Sequence, residues 1–210
     1  MKQLILASQS PRRKALLTQI GYQFITQAAD INESVKPNEN ATDYVVRLAK
    51  EKAQVIFSSL PTHQQLHTVV LGSDTSVVIE NEILGKPANE AQCIATLQRL
   101  SNKQHQVFTA IAVVSKNKNS QQHKNNVLST LVETQVQFKL LTVDEIKAYW
   151  RTGEPCDKAG SYGIQGIGGQ FVTTINGSYS AVVGLPLYET VQLLECVGLP
   201  SSLSQIKIKD

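Results

Sequence analysis

The chain has 210 residues, 41% hydrophobic and 18% charged, ample for one buried core. Its net charge is +3 and the basic excess is not gathered in one block, so charge gives no sign of a nucleic-acid surface. Cys93, Cys156 and Cys196 form no CxxC pair and build no zinc pattern with the four histidines. They read as reduced thiols of a cytosolic protein, and no stretch approaches membrane-spanning length. There is no internal repeat.

Leu4 to Ala7 is an apolar run long enough for one buried strand. Ser10 followed by Pro11 is a helix start, with Leu16, Leu17 and Ile20 as the apolar stripe and Gly21 as the stop. Arg12, Arg13 and Lys14 fall in the first turn. The helix dipole is already positive there, and each exposed cation costs roughly 0.3–1 kcal/mol. An anion at the helix mouth would reverse that sign. With the hydroxyls of Ser8 and Ser10, this strand, loop and helix start form either a phosphate cradle or a solvated basic turn.

Tyr22 to Ile25 suggests a second short strand, and Asp30 to Ser34 a polar loop. Glu33, in that loop, is a solvated side chain or a metal or substrate group. Thr42 to Leu60 is a helix by the spacing of Val45, Leu48, Ala49, Ala53 and Ile56. Lys52 lies on this apolar stripe, where it either snorkels to the surface or projects into a cleft. Thr68 to Leu71 reads as a buried strand ending at Gly72-Ser73-Asp74-Thr75. An acidic residue just past a strand end is where open α/β sheets place their chemistry. Asp74 is therefore a turn cap, or a group that binds Mg²⁺ or activates water.

Ser76 to Leu84 is a predicted hairpin, and Pro87 holds Lys86 away from helical geometry. This is no Walker A loop, since proline follows the lysine. Asn89 to Leu100 is a helix, while Val107 to Val114 and Val127 to Leu141 are strand-rich. Between them Ser115 to Asn126 forms a hairpin tip with basic charge and no aromatic for base stacking. Thr142 and Glu145 make a capping box for a helix reaching about Arg151. Seven of the twelve glycines then lie between Gly160 and Gly184, which permits tight turns and close backbone approach. A last strand over Ser180 to Val183 and a helix over Leu185 to Val197 close a single domain of residues 1–199, with a tail from Pro200.

The polar inventory of Ser8, Ser10, Arg12, Arg13, Lys52, Lys86, Glu33 and Asp74 has more cations than carboxylates. That mix suits a polyphosphate with a divalent metal. The order of Ser8-Gln9-Ser10-Pro11-Arg12-Arg13, Tyr44 to Lys52, Gly72-Ser73-Asp74-Thr75, Gly85-Lys86-Pro87 and Asp157 to Gly166 resembles the Maf family of nucleoside triphosphate pyrophosphatases. The match extends from Leu4 to about Glu195.

The resemblance implies an α/β domain with a long twisted mixed sheet flanked by helices and a deep cleft between two lobes. It implies hydrolysis at the α-phosphorus, releasing monophosphate and pyrophosphate, with Asp74 as proton acceptor. Arg12, Thr75 and Gln165 match the positions that separate a dTTP/UTP branch from a 7-methyl-GTP branch, and all three are of the first type. A neutral amide at Gln165 suits a pyrimidine edge, as both donor and acceptor. On this reading Mg²⁺ or Mn²⁺ is held by Glu33 and Asp74. Arg12, Arg13, Lys52 and Lys86 stabilise phosphate charge, and Ser8 and Ser10 position it. Modified pyrimidine nucleotides are further substrates of the branch. The family is also linked to septum formation, so the alternative is a nucleotide-binding regulator of cell division without essential turnover. A homodimer follows from the same resemblance, while the cytoplasmic location and the lack of a nucleic-acid or membrane partner are expected from the cysteines, the charge and the absence of a membrane-length stretch noted above.

Overall fold

The computed structural model describes residues 2–116, 125–201 and 203–205. In chain order the elements are β1 (Gln3–Leu6), α1 (Pro11–Gln19), β2 (Ile25–Thr26), α2 (Ala41–Ser59), the single turn α3 (Thr62–Gln65), β3 (Thr68–Ile79), β4 (Glu82–Leu84) and α4 (Glu90–Leu100). There follow β5 (Gln104–Lys116), β6 (Asn125–Phe138), α5 (Val143–Arg151), β7 (Val172–Asn176), α6 (Tyr179–Val183) and α7 (Leu187–Cys196). Short 3-10 turns occupy Glu154–Asp157, Ala159–Ser161 and Ile167–Phe171.

The strands form one mixed seven-stranded sheet in the order β2-β1-β3-β5-β6-β7, with β4 on β3. β1 runs parallel to both β2 and β3, and the remaining pairs are antiparallel. Helices cover both faces. Val45, Leu48, Ala49, Ala53, Ile56 and Phe57 of α2 are buried, as are Leu16 and Leu17 of α1 and Leu194 of α7. A second cluster joins Cys93, Leu97 and Leu100 of α4 to Ile146 and Tyr149 of α5, with Phe138 and Phe171. The expected α/β architecture is the one observed.

Several local expectations are corrected. β3 does not stop at Leu71. It continues through Asp74 to Ile79, because β5 pairs with it from Val69 to Val78 on one side. Among the described residues its other edge is paired only with β1, up to Leu71, and with β4 from Val77. The five residues Gly72 to Ser76 therefore face an opening on that edge. The crevice belongs to the carboxyl end of β1, not of β3. β2 begins only at Ile25. The final strand is Val172–Asn176, a β-branched run, while residues 180–183 fall in α6, which Ser178 caps through the Ala181 N–H at 3.2 Å. The hairpin tip is paired at Ser115 with Asn126 and Lys116 with Asn125. Its centre and the end of the C-terminal tail lie outside the described residues.

Candidate active site

The opening beside β3 is the mouth of a cavity of ≈ 700 Å³. One wall is the β1–α1 loop, Glu33, α2 and β3. The other comprises Ile83 to Lys86 and Asp157 to Gln165. The loop is built as its residues dictate. Ser10 caps α1 by accepting from the Arg13 N–H at 3.5 Å, with Pro11 in the first helical position. Ser8 Oγ accepts from the Ser10 N–H at 3.2 Å and from Arg13 Nη1 at 3.3 Å. Both serine hydroxyl protons thus remain available to an acceptor in the cavity.

Arg13 is the hub of this wall. Its Nε donates to the Gly184 carbonyl at 2.9 Å and its Nη2 to Thr75 Oγ1 at 3.3 Å. Ser73 Oγ donates to the same carbonyl at 3.0 Å. Burial lowers the Arg13 pKa, with the charge of Asp74 opposing. Thr75 Oγ1 also accepts from Thr109 Oγ1 at 3.0 Å. Arg12 takes a separate course, its Nη1 lying 3.9 Å from Asp157 Oδ2 on the opposite wall.

Lys52 does not snorkel. It is 8% exposed, and its Nζ stands 2.7 Å from Asp74 Oδ1 and 2.7 Å from Glu33 Oε1. The reason lies in Gly72. A Cβ there would run into the Ala49 carbonyl and sit 2.9 Å from the Ala53 N. Glycine lets α2 press against β3, and that closeness brings Lys52 to Asp74.

Asp74 is 7% exposed. Burial raises its pKa, with Lys52 and Arg13 opposing. For Glu33, burial also pushes upward, but the hydrogen bond and charge of Lys52, with Lys86 and Arg13, prevail and the net direction is down. The two carboxylates converge on one cation, an arrangement that holds positive charge at a single point. Among the described residues no group of three or more His, Cys, Asp or Glu clusters as a metal site.

Lys86 and Gln165 line the cavity as exposed side chains. Neither donates to nor accepts from a protein side chain at hydrogen-bond distance among the described residues, which leaves both for a ligand. The structure therefore brings Ser8, Ser10, Arg12, Arg13, Glu33, Lys52, Asp74, Thr75, Lys86 and Gln165 around one cavity.

Residue-by-residue reading missed the groups that hold Glu33. Tyr44 Oη donates to the Glu33 carbonyl at 2.9 Å, and Arg47 Nη2 to the Ser34 carbonyl at 3.0 Å. Arg47 also bonds Glu39 and Glu51. The signal was present, because Tyr44 and Lys52 are eight residues apart, close to the same face of one helix. Asp157, the partner of Arg12, gave no comparable signal. Its contact depends on the turn after α5.

A mixed α/β sheet with a serine and arginine anion cradle beside a buried carboxylate–lysine–carboxylate group defines a protein that handles phosphorylated ligands. The family profile described as Maf-like protein matches residues 3–197, and the chain belongs to that family.

Among curated relatives, a dTTP/UTP pyrophosphatase of Colwellia psychrerythraea is 61% identical over 202 residues, 96% of this chain and 92% of the relative. Proteins of the same name from Pseudoalteromonas atlantica and Vibrio vulnificus are 54% and 53% identical, over 93% and 92% of this chain and 97% and 98% of theirs. A solved nucleoside-triphosphatase / dITP/XTP pyrophosphatase from Mycobacterium abscessus is 15% identical, with a TM-score of 0.31 over 64% of this chain and 72% of its own. That likeness is too loose to carry an argument.

Proposed function

We propose that this chain hydrolyses dTTP and UTP to the nucleoside monophosphate and pyrophosphate, with water attacking the α-phosphorus. The observation that carries the reading is the Glu33–Lys52–Asp74 group, with 2.7 Å contacts on both sides of Lys52, set beside the Ser8–Arg13 cradle. The names of relatives at 53–61% identity support the substrate.

Asp74 Oδ1 is held by Lys52, and Oδ2 carries no protein hydrogen bond among the described residues. Oδ2 is the atom that takes the proton of the attacking water. Desolvation makes this carboxylate a stronger base than an exposed one. Lys52, released from Glu33 or Asp74 as substrate enters, neutralises charge that builds on the phosphoryl oxygens. Arg13 is fixed by three hydrogen bonds, so it presents its remaining N–H groups without reorganisation. Ser8 and Ser10 donate to phosphate oxygens. Arg12 and Lys86, at the rim, meet the leaving pyrophosphate. Thr75 and Gln165 face the base and ribose, where the amide pairs with a pyrimidine edge.

A divalent cation, Mg²⁺ or Mn²⁺, fits this donor set. Glu33 and Asp74 already converge on one positive charge, and such ions are commonly held by one or two carboxylates with substrate phosphates completing the shell. When bound, it would neutralise phosphate charge and make water more acidic. A cytoplasmic location, with neither nucleic acid nor membrane as partner, belongs to the same proposal; among the described residues no helix is long and apolar enough to cross a membrane. The homodimer is a matter for light scattering.

The test is a product assay with Mg²⁺ or Mn²⁺ and each common NTP and dNTP, reading pyrophosphate and orthophosphate separately. Pyrophosphate with dTMP or UMP, abolished in Asp74→Ala, is the expected result. Orthophosphate alone would overturn the assigned register of attack. Binding without turnover would favour the regulator, which nothing in the site favours at present.

A further inference from the structure

We infer that Glu154 is a positioning residue for pyrimidine selection, acting through Gln165. This rests on the reading that Gln165 faces the base. Gln165 sits midway along a loop whose two ends are fastened to one carboxylate system. Glu154 Oε2 accepts from the Ile167 N–H at 2.8 Å, and Oε1 from the Gly168 N–H at 3.0 Å. Oε1 also accepts from Tyr149 Oη at 2.7 Å, and that same hydroxyl oxygen accepts from the Gly163 N–H at 3.1 Å.

The loop from Gly163 to Gly168 is thus closed around Glu154 and Tyr149. Its glycines are the form this takes in sequence. A Cβ on Gly166 would enter the Glu154 carboxylate, and one on Gly168 would lie 2.6 Å from the Tyr149 hydroxyl. Tyr149 is 2% exposed and stacks edge-on against Phe171 at 5.0 Å, so the loop is tied to the core. Gln165 projects from this frame with no side-chain tether of its own among the described residues. Its placement over the cavity is therefore set by the backbone that Glu154 holds. Two glycines and a buried tyrosine fitted to one carboxylate exceed what a solvated turn requires.

The experiment compares Glu154→Gln, Glu154→Ala, Gln165→Ala and the double variant Glu154→Ala with Gln165→Ala. Each is assayed for kcat and KM with dTTP and with dGTP, well below its melting temperature. In Glu154→Gln the amide NH₂ meets a backbone N–H donor, so one loop contact is lost while size is kept. The expected result is a rise of about tenfold or more in KM for dTTP in Glu154→Ala, a smaller rise in Glu154→Gln, and kcat within about threefold of wild type. Selectivity for dTTP over dGTP falls in parallel, and the double variant is little worse than either single one.

Equal losses with dTTP and dGTP, or additive effects of the two substitutions, would overturn the proposal and leave Glu154 a structural residue. If Glu154→Ala does not fold, Glu154→Gln, alone and combined with Gln165→Ala, decides by the same two criteria. A wild-type enzyme without preference for dTTP would instead overturn the function reading itself, so the two failures are distinct.

Discussion

At the residue scale, the role proposed for Asp74 sets stability against function. A carboxylate whose folded pKa is raised disfavours folding in its charged form. Between its ordinary value and the raised one, the folded state binds more protons than the unfolded, so stability falls as pH rises through that window. Asp74→Asn removes this penalty while keeping an acceptor for Lys52. It is expected to lower pyrophosphate release by about 10²–10⁴-fold. Its thermal midpoint at pH 7 should equal or exceed that of wild type, as scanning calorimetry would read it. A midpoint several degrees lower would show that the carboxylate contributes to folding rather than opposing it. His105 behaves in the opposite sense. It is 2% exposed, its Nε2 lies 2.8 Å from the Tyr162 hydroxyl, and burial pushes its pKa down to about 4. Below the ordinary imidazole value the unfolded chain takes up a proton that the folded one refuses, so stability is lost as pH falls. By pH 4.5 this amounts to roughly 2–3 kcal/mol. His105→Gln should shrink the drop between pH 7 and pH 4.5 in urea unfolding by that order, and an unchanged drop would place the acid sensitivity elsewhere.

At the element scale, the contact that matters is α2 on β3. Gly72 is the point of closest approach, with the Ala49 carbonyl and Ala53 N directly above it. Gly72→Ala should displace the helix, cost about 1–3 kcal/mol of stability, and lower kcat by pulling Lys52 from Asp74. Denaturant unfolding with kinetics on the same sample tests this. A variant of normal stability and normal kcat would mean that the backbone yields without cost. Much of this element was legible in sequence, because the apolar spacing of Val45 to Ile56 announces the helix and the face it buries. The capping box at Thr142 and Glu145 was legible for the same local reason. Lys52 was ambiguous, since periodicity shows the face a side chain occupies and not the charge waiting across from it. Asp74 was placed in a loop because Gly72-Ser73-Asp74 resembles a strand end. Only non-local pairing with β5 keeps it in a strand. The β-branched Val172 to Ile175 run was a strand signal obscured by the glycines around it.

At the scale of the whole molecule, β3 is the element both sides of the cavity share. Its first half packs with β1, α1 and α7 through Val69 and Leu71. Its second half packs with α4 and α5 through Val77 and Ile79. The Gly72–Ser76 opening lies between these two cores, so a ligand there touches residues anchored in each: Ser8 and Arg13 on one side, Lys86 and Gln165 on the other. A triphosphate that bridges them should stabilise the fold as a unit rather than one lobe. Asp74→Asn makes the measurement direct, because it leaves the cradle in place and removes the proposed proton acceptor. With dTTP and Mg²⁺ at about 100 times the dissociation constant, linkage predicts about 2.7 kcal/mol of added stability. For a chain of this length that is an upward shift of about 5–10 °C in one cooperative melt. On the proposed binding mode pyrophosphate alone would meet the cradle and rim but not Gln165, so at equal concentration its shift should be smaller, and dGTP should fall between the two. If a divalent cation is held at Glu33 as proposed, removing Mg²⁺ with EDTA should reduce the dTTP shift, since the neutralising charge that such an ion would supply to the phosphates is then lost. Equal shifts from dTTP and pyrophosphate would mean that the far wall contributes nothing to binding. Two separate transitions, only one of them moved by dTTP, would mean that the cores on either side of β3 melt independently.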